Sequence, residues 1–226
     1  MKITIINGSP RKNGATGKIL QTFKQCLEKK SNVEIHYVEL ADYGLKSCAG
    51  CERCYQTGIC PINDRAEEIN RAIAASEGVI IGSPTYVSNV SGILKNYIDR
   101  GHIVVEQSLK DKYMFAVTTF EIAGGATVIG MLNTMFRYAG GIPAGKYALK
   151  LPHNGNPLEQ AKVLKQINRK AEKFHGMLNR SKRKSLLDRL INFVALHIVM
   201  KPSVVRYPTR YQAVLQRWEK MNINGR

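Results

Sequence analysis

The chain has 226 residues, 44% of them hydrophobic and 8% aromatic, which suits one well-cored domain with an appendage and excludes a disordered chain. No run of eighteen uninterrupted apolar residues occurs, so a transmembrane helix is excluded as well. Charge is uneven: residues 1–140 hold 16 basic and 13 acidic side chains, net +3, while residues 141–226 hold 18 and 4, net +14, a surface that attracts anions.

In chain order, Lys2 to Asn7 (KITIIN) reads as a buried strand. Ile19, Leu20, Phe23 and Leu27 then recur at helical spacing, and Val33 to Leu40 reads as a second strand. After a cysteine-rich loop, the pattern predicts a helix near Asp64 to Ser76, a third strand over Val79 to Gly82 and a helix over Ser91 to Val105. A fourth strand over Tyr113 to Thr118, a helix over Ala126 to Tyr138 and a fifth strand over Tyr147 to Leu151 come next. Five strands separated by helices imply a parallel, doubly wound α/β sheet.

Beyond Pro157 the pattern is helical. Leu158 to Leu178 would cover the sheet as its last helix. The basic Lys182 to Lys184 opens another, with Leu187, Leu190, Ile191, Val194 and Ile198 on one face. Pro202 and Pro208 are expected to break the chain beyond that helix into a short extended piece, before a final segment, Arg210 to Met221, places Tyr211, Leu215 and Trp218 on one side. The expected division is a domain over residues 1–179 and a basic helical extension over 180–226. Its apolar faces exceed what a small sheet can cover, so packing on a second protomer is expected.

Three segments carry chemistry. The turn after the first strand, GSPRKNGATGK, is neither G-x-G-x-x-G nor a P-loop. It is nonetheless a strand-to-helix turn of small residues in which Ser9, Arg11, Asn13 and Thr16 offer polar groups beside the free N–H groups of the next helix, as a phosphate requires. An ordinary turn capped by Asn13 or Thr16 is the alternative. The turn after the third strand, GSPTYVSNVSG, stiffens at Pro84, offers the flat face of Tyr86, and supplies polar edges at Ser88, Asn89 and Ser91. The first and third strands of a doubly wound sheet flank the crevice where ligands bind. A ligand with a phosphate at one end and a flat, polar-edged ring at the other fits both turns, and flavin mononucleotide (FMN) fits better than a dinucleotide.

The third segment is CAGCERCYQTGIC, in which Cys48, Cys51, Cys54 and Cys60 stand at C-x2-C-x2-C-x5-C spacing. Closely spaced thiolates of this kind hold iron–sulfur clusters. Structural zinc, a disulfide pair and unligated thiols are the competing readings. Zinc sites usually separate two C-x2-C knuckles more widely. Met1 leads straight into the first strand with no apolar leader, so a reducing, cytoplasmic location is expected, which disfavours disulfides.

INGSPRKNGATGK, CAGCERCYQTGIC and VIIGSPTYVSNVSGILKNYIDR, in this order, resemble the NAD(P)H-dependent FMN reductase-like flavoproteins, specifically their iron–sulfur branch. The resemblance covers residues 1 to 150 and implies a flavodoxin-like fold with strand order 2-1-3-4-5. It implies FMN phosphate held by the turn from Ser9 through Arg11, Asn13 and Ala15 to Thr16, and the isoalloxazine ring lying against Pro84, Thr85, Tyr86 and Val87, with Asn89 nearby. A third contact is implied in TTFEIAGGATV, at Thr119, Glu121, Gly124 and Gly125, although that loop lacks the family's usual Gly-Gly-Gln-Glu-like run. A 4Fe-4S cluster on Cys48, Cys51, Cys54 and Cys60 is implied too, as is a homodimer or homotetramer.

The expected function is an FMN-dependent oxidoreductase that passes electrons from NAD(P)H or ferredoxin to an acceptor, with the cysteine loop as a one-electron relay. An NAD(P)H:flavin or quinone reductase with idle cysteines and a non-catalytic flavin electron carrier are the alternatives. In the basic tail, an apolar face packed in the oligomer with the basic residues left outside, where an acidic partner such as a ferredoxin would be drawn, ranks above a membrane surface, and nucleic acid ranks last because no binding motif accompanies the charge. Cys26, Met131, Met135 and Phe136 read as core, and Asp99 and Arg100 as pairing or capping residues. His36, His102, His153, His175 and His197 show no ligand spacing.

Overall fold

Strand β1 (Lys2–Asn7) is buried at every position after Lys2, because it is an inner strand of a sheet covered by helices on both faces. The computed structural model describes residues 1–100, 103–180 and 184–223. His102, Lys182 and Arg183 lie outside the described residues. Strands β2 (Glu34–Glu39), β3 (Gly78–Pro84), β4 (Tyr113–Phe120) and β5 (Ile142–Lys150) pair in parallel in the order β2-β1-β3-β4-β5, as expected. Alternate side chains face opposite sides of a strand. Ile3, Ile5, Ile80, Phe115 and Val117 therefore enter one core with Phe23 and Phe174, from α1 (Ala15–Glu28) and α6 (Ala161–Asn179). Ile6, Val79, Ile81, Met114 and Ala116 enter the other. There they meet α3 (Ala66–Ala74), α4 (Gly92–Arg100) and α5 (Gly125–Tyr138).

Three elements depart from expectation. Strand β5 begins at Ile142, five residues earlier than its sequence pattern indicates, because Pro143 and Gly145 interrupt the alternation. An edge strand tolerates that interruption, and the register shifts between Met114 and Phe115 opposite it. Helix α4 ends at Arg100 and the chain turns through residues 103–111 instead of continuing as helix. Pro202 does not break the tail: α7 (Leu186–Phe193) runs through a π-helical stretch, Val194–Met200, directly into α8 (Lys201–Arg206), with Pro202 in the first turn of α8. A proline ring clashes with the carbonyl four residues earlier in an α-helix, and the wider π turn re-routes that bonding. Pro208 does lie beyond the end of α8.

The end of the tail covers its own chain. In α9 (Gln212–Lys220), Val214 and Trp218 are fully buried with Leu196, Val204 and Ile223, against Val105 and Tyr55. Tyr55 belongs to α2 (Arg53–Thr57), inside the cysteine loop. Trp218 donates from Nε1 to the carbonyl of Val105 at 2.9 Å, and Arg217 pairs with Glu106 at 2.8 Å. The Trp218 face thus needs no second protomer.

Candidate functional site: a groove at the strand ends and a cysteine loop

The first turn is built on Asn7, a fully buried amide whose Oδ1 accepts the Ser9 N–H at 3.1 Å while its Nδ2 donates to Glu39 at 2.8 Å. Ser9 is itself buried, and its hydroxyl donates to the Arg11 carbonyl at 3.0 Å and accepts the Arg11 N–H at 3.1 Å. The turn then folds so tightly that a Cβ on Gly17 would sit 1.8 Å from the Lys12 carbonyl oxygen. This brings the start of α1 to the surface with Gly14 as its N-cap, no side-chain cap and no acidic residue in the first turn. The first N–H groups of a helix lack intrahelical partners, and here the helix start at Gly14 and Ala15 lines the groove beside Arg11, Lys12 and Lys18.

The second wall is the exit of β3. Tyr86 and Asn89 exchange backbone hydrogen bonds, both 2.9 Å, around Val87 and Ser88, which hold φ of 48° and 58°. A β-branched residue at positive φ is strained, and such strain concentrates at functional loops. Behind it Gly124, at φ 88°, leaves no room for a Cβ: one would lie 2.8 Å from Ser88 Cα. Two loops distant in sequence therefore interlock. Thr85 Oγ1 meets Thr118 Oγ1 at 2.9 Å, and Thr16 Oγ1 meets Thr119 Oγ1 at 2.8 Å.

A groove of about 580 Å³ opens between these walls, in the range of small-molecule sites. Of the residues singled out from the sequence, Arg11, Asn13, Ala15, Pro84, Thr85, Tyr86, Thr119 and Glu121 line it together. Ser9, Thr16, Val87, Asn89, Gly124 and Gly125 stand outside its lining, where Ser9, Thr16 and Gly124 hold the walls in place. A further wall, Leu151 to Gly155, has no counterpart in the sequence motifs. Arg11 hydrogen-bonds Asn154, Lys18 donates to Asn156 at 3.2 Å, and the His153 N–H donates to Glu121 at 3.2 Å, so the loop after β5 is tied across the groove. His153 thus lines the groove, with its backbone N–H making that tie. A positive, uncapped helix start at one end and a proline- and tyrosine-lined wall at the other fit the phosphate and ring of FMN.

The cysteine loop packs on the tail's small core through Tyr55. Cys48 and Cys51 are exposed, Cys54 and Cys60 are half-buried, and none is in a disulfide. Burial pushes the Cys54 thiol up to about 11, with Cys60 and Glu106 nearby adding to the shift. Arg100, buried at the end of α4, donates to Cys60 Sγ at 3.4 Å and to the carbonyls of Lys46 and Ile62. Its Nε is buried without a partner. Among the described residues, no three His, Cys, Asp or Glu side chains are gathered closely enough to hold a metal ion. The thiol set and the adjacent buried cation suit a cluster in chemistry, while the four sulfurs are not drawn together. Cys26 sits at the rim of the core that holds Phe23 and Phe174, bonded to Asn168 at 2.6 Å, well apart from the loop in sequence and in packing.

The family model for NADPH-dependent FMN reductases matches residues 1–155. An iron–sulfur flavoprotein of Clostridioides difficile is 38% identical over 225 residues, 99% of this chain and 100% of its own length, so the similarity extends through the tail. One from Methanocaldococcus jannaschii is 33% identical over 60% of this chain and 72% of its own. Among solved structures, an NADH:FMN oxidoreductase in its apo form superposes with a TM-score of 0.60 at 18% identity, over 83% of this chain and 93% of that one, a likeness of fold. Motifs, fold, groove and relatives agree: this chain belongs to the NADPH-dependent FMN reductase family of FMN-dependent oxidoreductases, in its iron–sulfur flavoprotein branch.

Proposed function

We propose that the protein holds FMN in this groove and passes electrons from NAD(P)H or ferredoxin to an acceptor. The observation that carries the reading is the convergence of four loops on one groove whose end is an uncapped helix start flanked by Arg11, Lys12 and Lys18. Bound FMN would supply a ring able to accept a hydride or release single electrons. The chain's own part is placement: Arg11, Lys18 and the α1 N–H groups neutralise the phosphate, and Pro84, Thr85 and Tyr86 back the ring. Ser9, Thr16, Val87, Asn89, Gly124 and Gly125 shape and support these walls. The flavin domain is residues 1–179, and residues 180–226 form the extension.

Cys48, Cys51, Cys54 and Cys60 are proposed as the ligands of a 4Fe-4S cluster, on the chemistry of the set and the presence of Arg100 at Cys60. The ungathered sulfurs favour a second reading, a flavin or quinone reductase whose cysteines are idle. Anaerobic purification with a visible spectrum and assays for iron, sulfide and NAD(P)H oxidation separates the two. Flavin bands with iron and sulfide that are lost in Cys60→Ala support the cluster. Flavin and turnover without iron leave the second reading, and protein that takes up no FMN overturns both.

A further inference from the structure

Helix α7 is mounted with its polarity reversed. Its inward side carries Asp188, buried and accepting from Arg137 Nε at 2.6 Å and Ser185 Oγ at 2.6 Å, and Asn192, which donates to the Arg137 carbonyl at 3.0 Å. The outward side carries the apolar residues. Leu186, Leu190 and Phe193, spaced i, i+4 and i+7, are 83%, 59% and 54% exposed, with Leu187 and Val194 beside them. The stripe continues over the π-helical stretch to exposed Ile198 and Val199, and exposed Tyr138 of α5 adjoins its groove. A helix that presents its apolar face to water and buries its carboxylate has a partner for that face.

Charge identifies the partner. Residues 180–218 contain nine Lys and Arg against one acid, Asp188, which is turned inward; Lys184, Arg210 and Arg217 pair with Asp111, Glu52 and Glu106 elsewhere in the chain. Arg180, Arg189 and Arg206 are exposed, and Arg189 stands next to Leu190 on α7 itself. In a two-fold contact between copies the same patch meets itself, so this basic rim would face its own image. Anionic headgroups complement the rim while the acyl boundary takes the stripe. We propose that the α7 face is a docking site for an anionic membrane surface, with Leu186, Leu190 and Phe193 entering the interface and the arginines at phosphate level. Among the described residues no helix is long and apolar enough to cross a membrane, so this is attachment in the plane of the surface. Helix α5 runs from Gly125, next to the Gly124 that supports the groove wall, to Tyr138 beside the stripe, about 20 Å for its length, which separates the docked face from the groove.

The test is co-sedimentation of the full chain with phosphatidylcholine vesicles and with mixed phosphatidylcholine–phosphatidylglycerol vesicles, at low and high salt. The double variant Leu190→Glu/Phe193→Glu and the variant Arg189→Glu change exposed side chains, and circular dichroism confirms their fold. Binding to the anionic vesicles alone, weakened by salt and about tenfold lower in the double variant, is the expected result. Equal binding to both vesicle types overturns the charge assignment, and no binding of the unaltered chain overturns the proposal. A light-scattering mass that falls in the double variant, with no vesicle binding by the unaltered chain, gives the face to a second copy instead. None of these readings depends on the flavin.

Discussion

Arg100 and Asp64 form a buried ion pair that closes the cysteine loop at both ends. Asp64 accepts the backbone N–H groups of Lys46 and Ala66, each at 3.1 Å, while Arg100 reaches the carbonyls of Lys46 and Ile62 and the sulfur of Cys60. One pair thus fixes the entry and exit of a loop that has little core of its own.

Removing one partner from such a pair leaves a buried charge uncompensated, at about 3–5 kcal/mol. Asp64→Asn should therefore lower unfolding stability at neutral pH by about 3 kcal/mol, measured by urea denaturation. Burial alone would raise the Asp64 carboxyl, but its hydrogen bonds from Arg100, Lys46 and Ala66 hold it below the ordinary value. The contribution is therefore fully present above the unfolded pKa of about 3.9 and is lost as pH falls through the lowered folded one. The gap between the parent and Asp64→Asn should close in that acid window; a gap independent of pH would show that the pair is not its source.

Arg11 gives the groove a charge and, through Asn154, ties the loop after β5. Arg11→Ala should weaken FMN binding to the flavin-free protein by about 1.5–3 kcal/mol, read by calorimetry, since a charge-assisted hydrogen bond is lost. Unchanged affinity would place the phosphate elsewhere.

The tail grips the cysteine loop through the Tyr55–Tyr211 ring contact at 5.2 Å, the Glu52–Arg210 ion pair and the burial of Trp218. Trp218→Ala removes the largest member of that small core, where such truncations cost about 3–5 kcal/mol. Maleimide labelling of Cys54 should accelerate, while labelling of Cys26, in a different core, stays as it was. Equal rates for Cys54 in both proteins would mean the loop stands without the tail.

The strand order and the first two groove walls are legible in the sequence because each wall lies within one short turn after one buried strand. Side-chain direction is less so: Ser9 reads as a phosphate donor, yet its hydroxyl is spent within its own turn on Arg11. The Leu151–Gly155 wall is hidden because Pro143 and Gly145 mask the start of the edge strand that delivers it. Periodicity shows that Leu187, Leu190 and Ile198 share a face of the tail but says nothing about which way that face is turned. Asp188 and Asn192 settle it, by bonding to Arg137.

The π-helical stretch between α7 and α8 amounts to one residue of slack in an otherwise continuous rod. Because each residue turns an α-helix by about 100°, that surplus sets the angle at which Val204 meets Leu196 and Trp218, and with it the path that brings α9 onto Tyr55. The tail's hold on the cysteine loop is therefore encoded partly as a length. Substitutions of the exposed residues along the stretch are tolerable where a single deletion is not, since losing one residue would turn everything beyond it away from the loop.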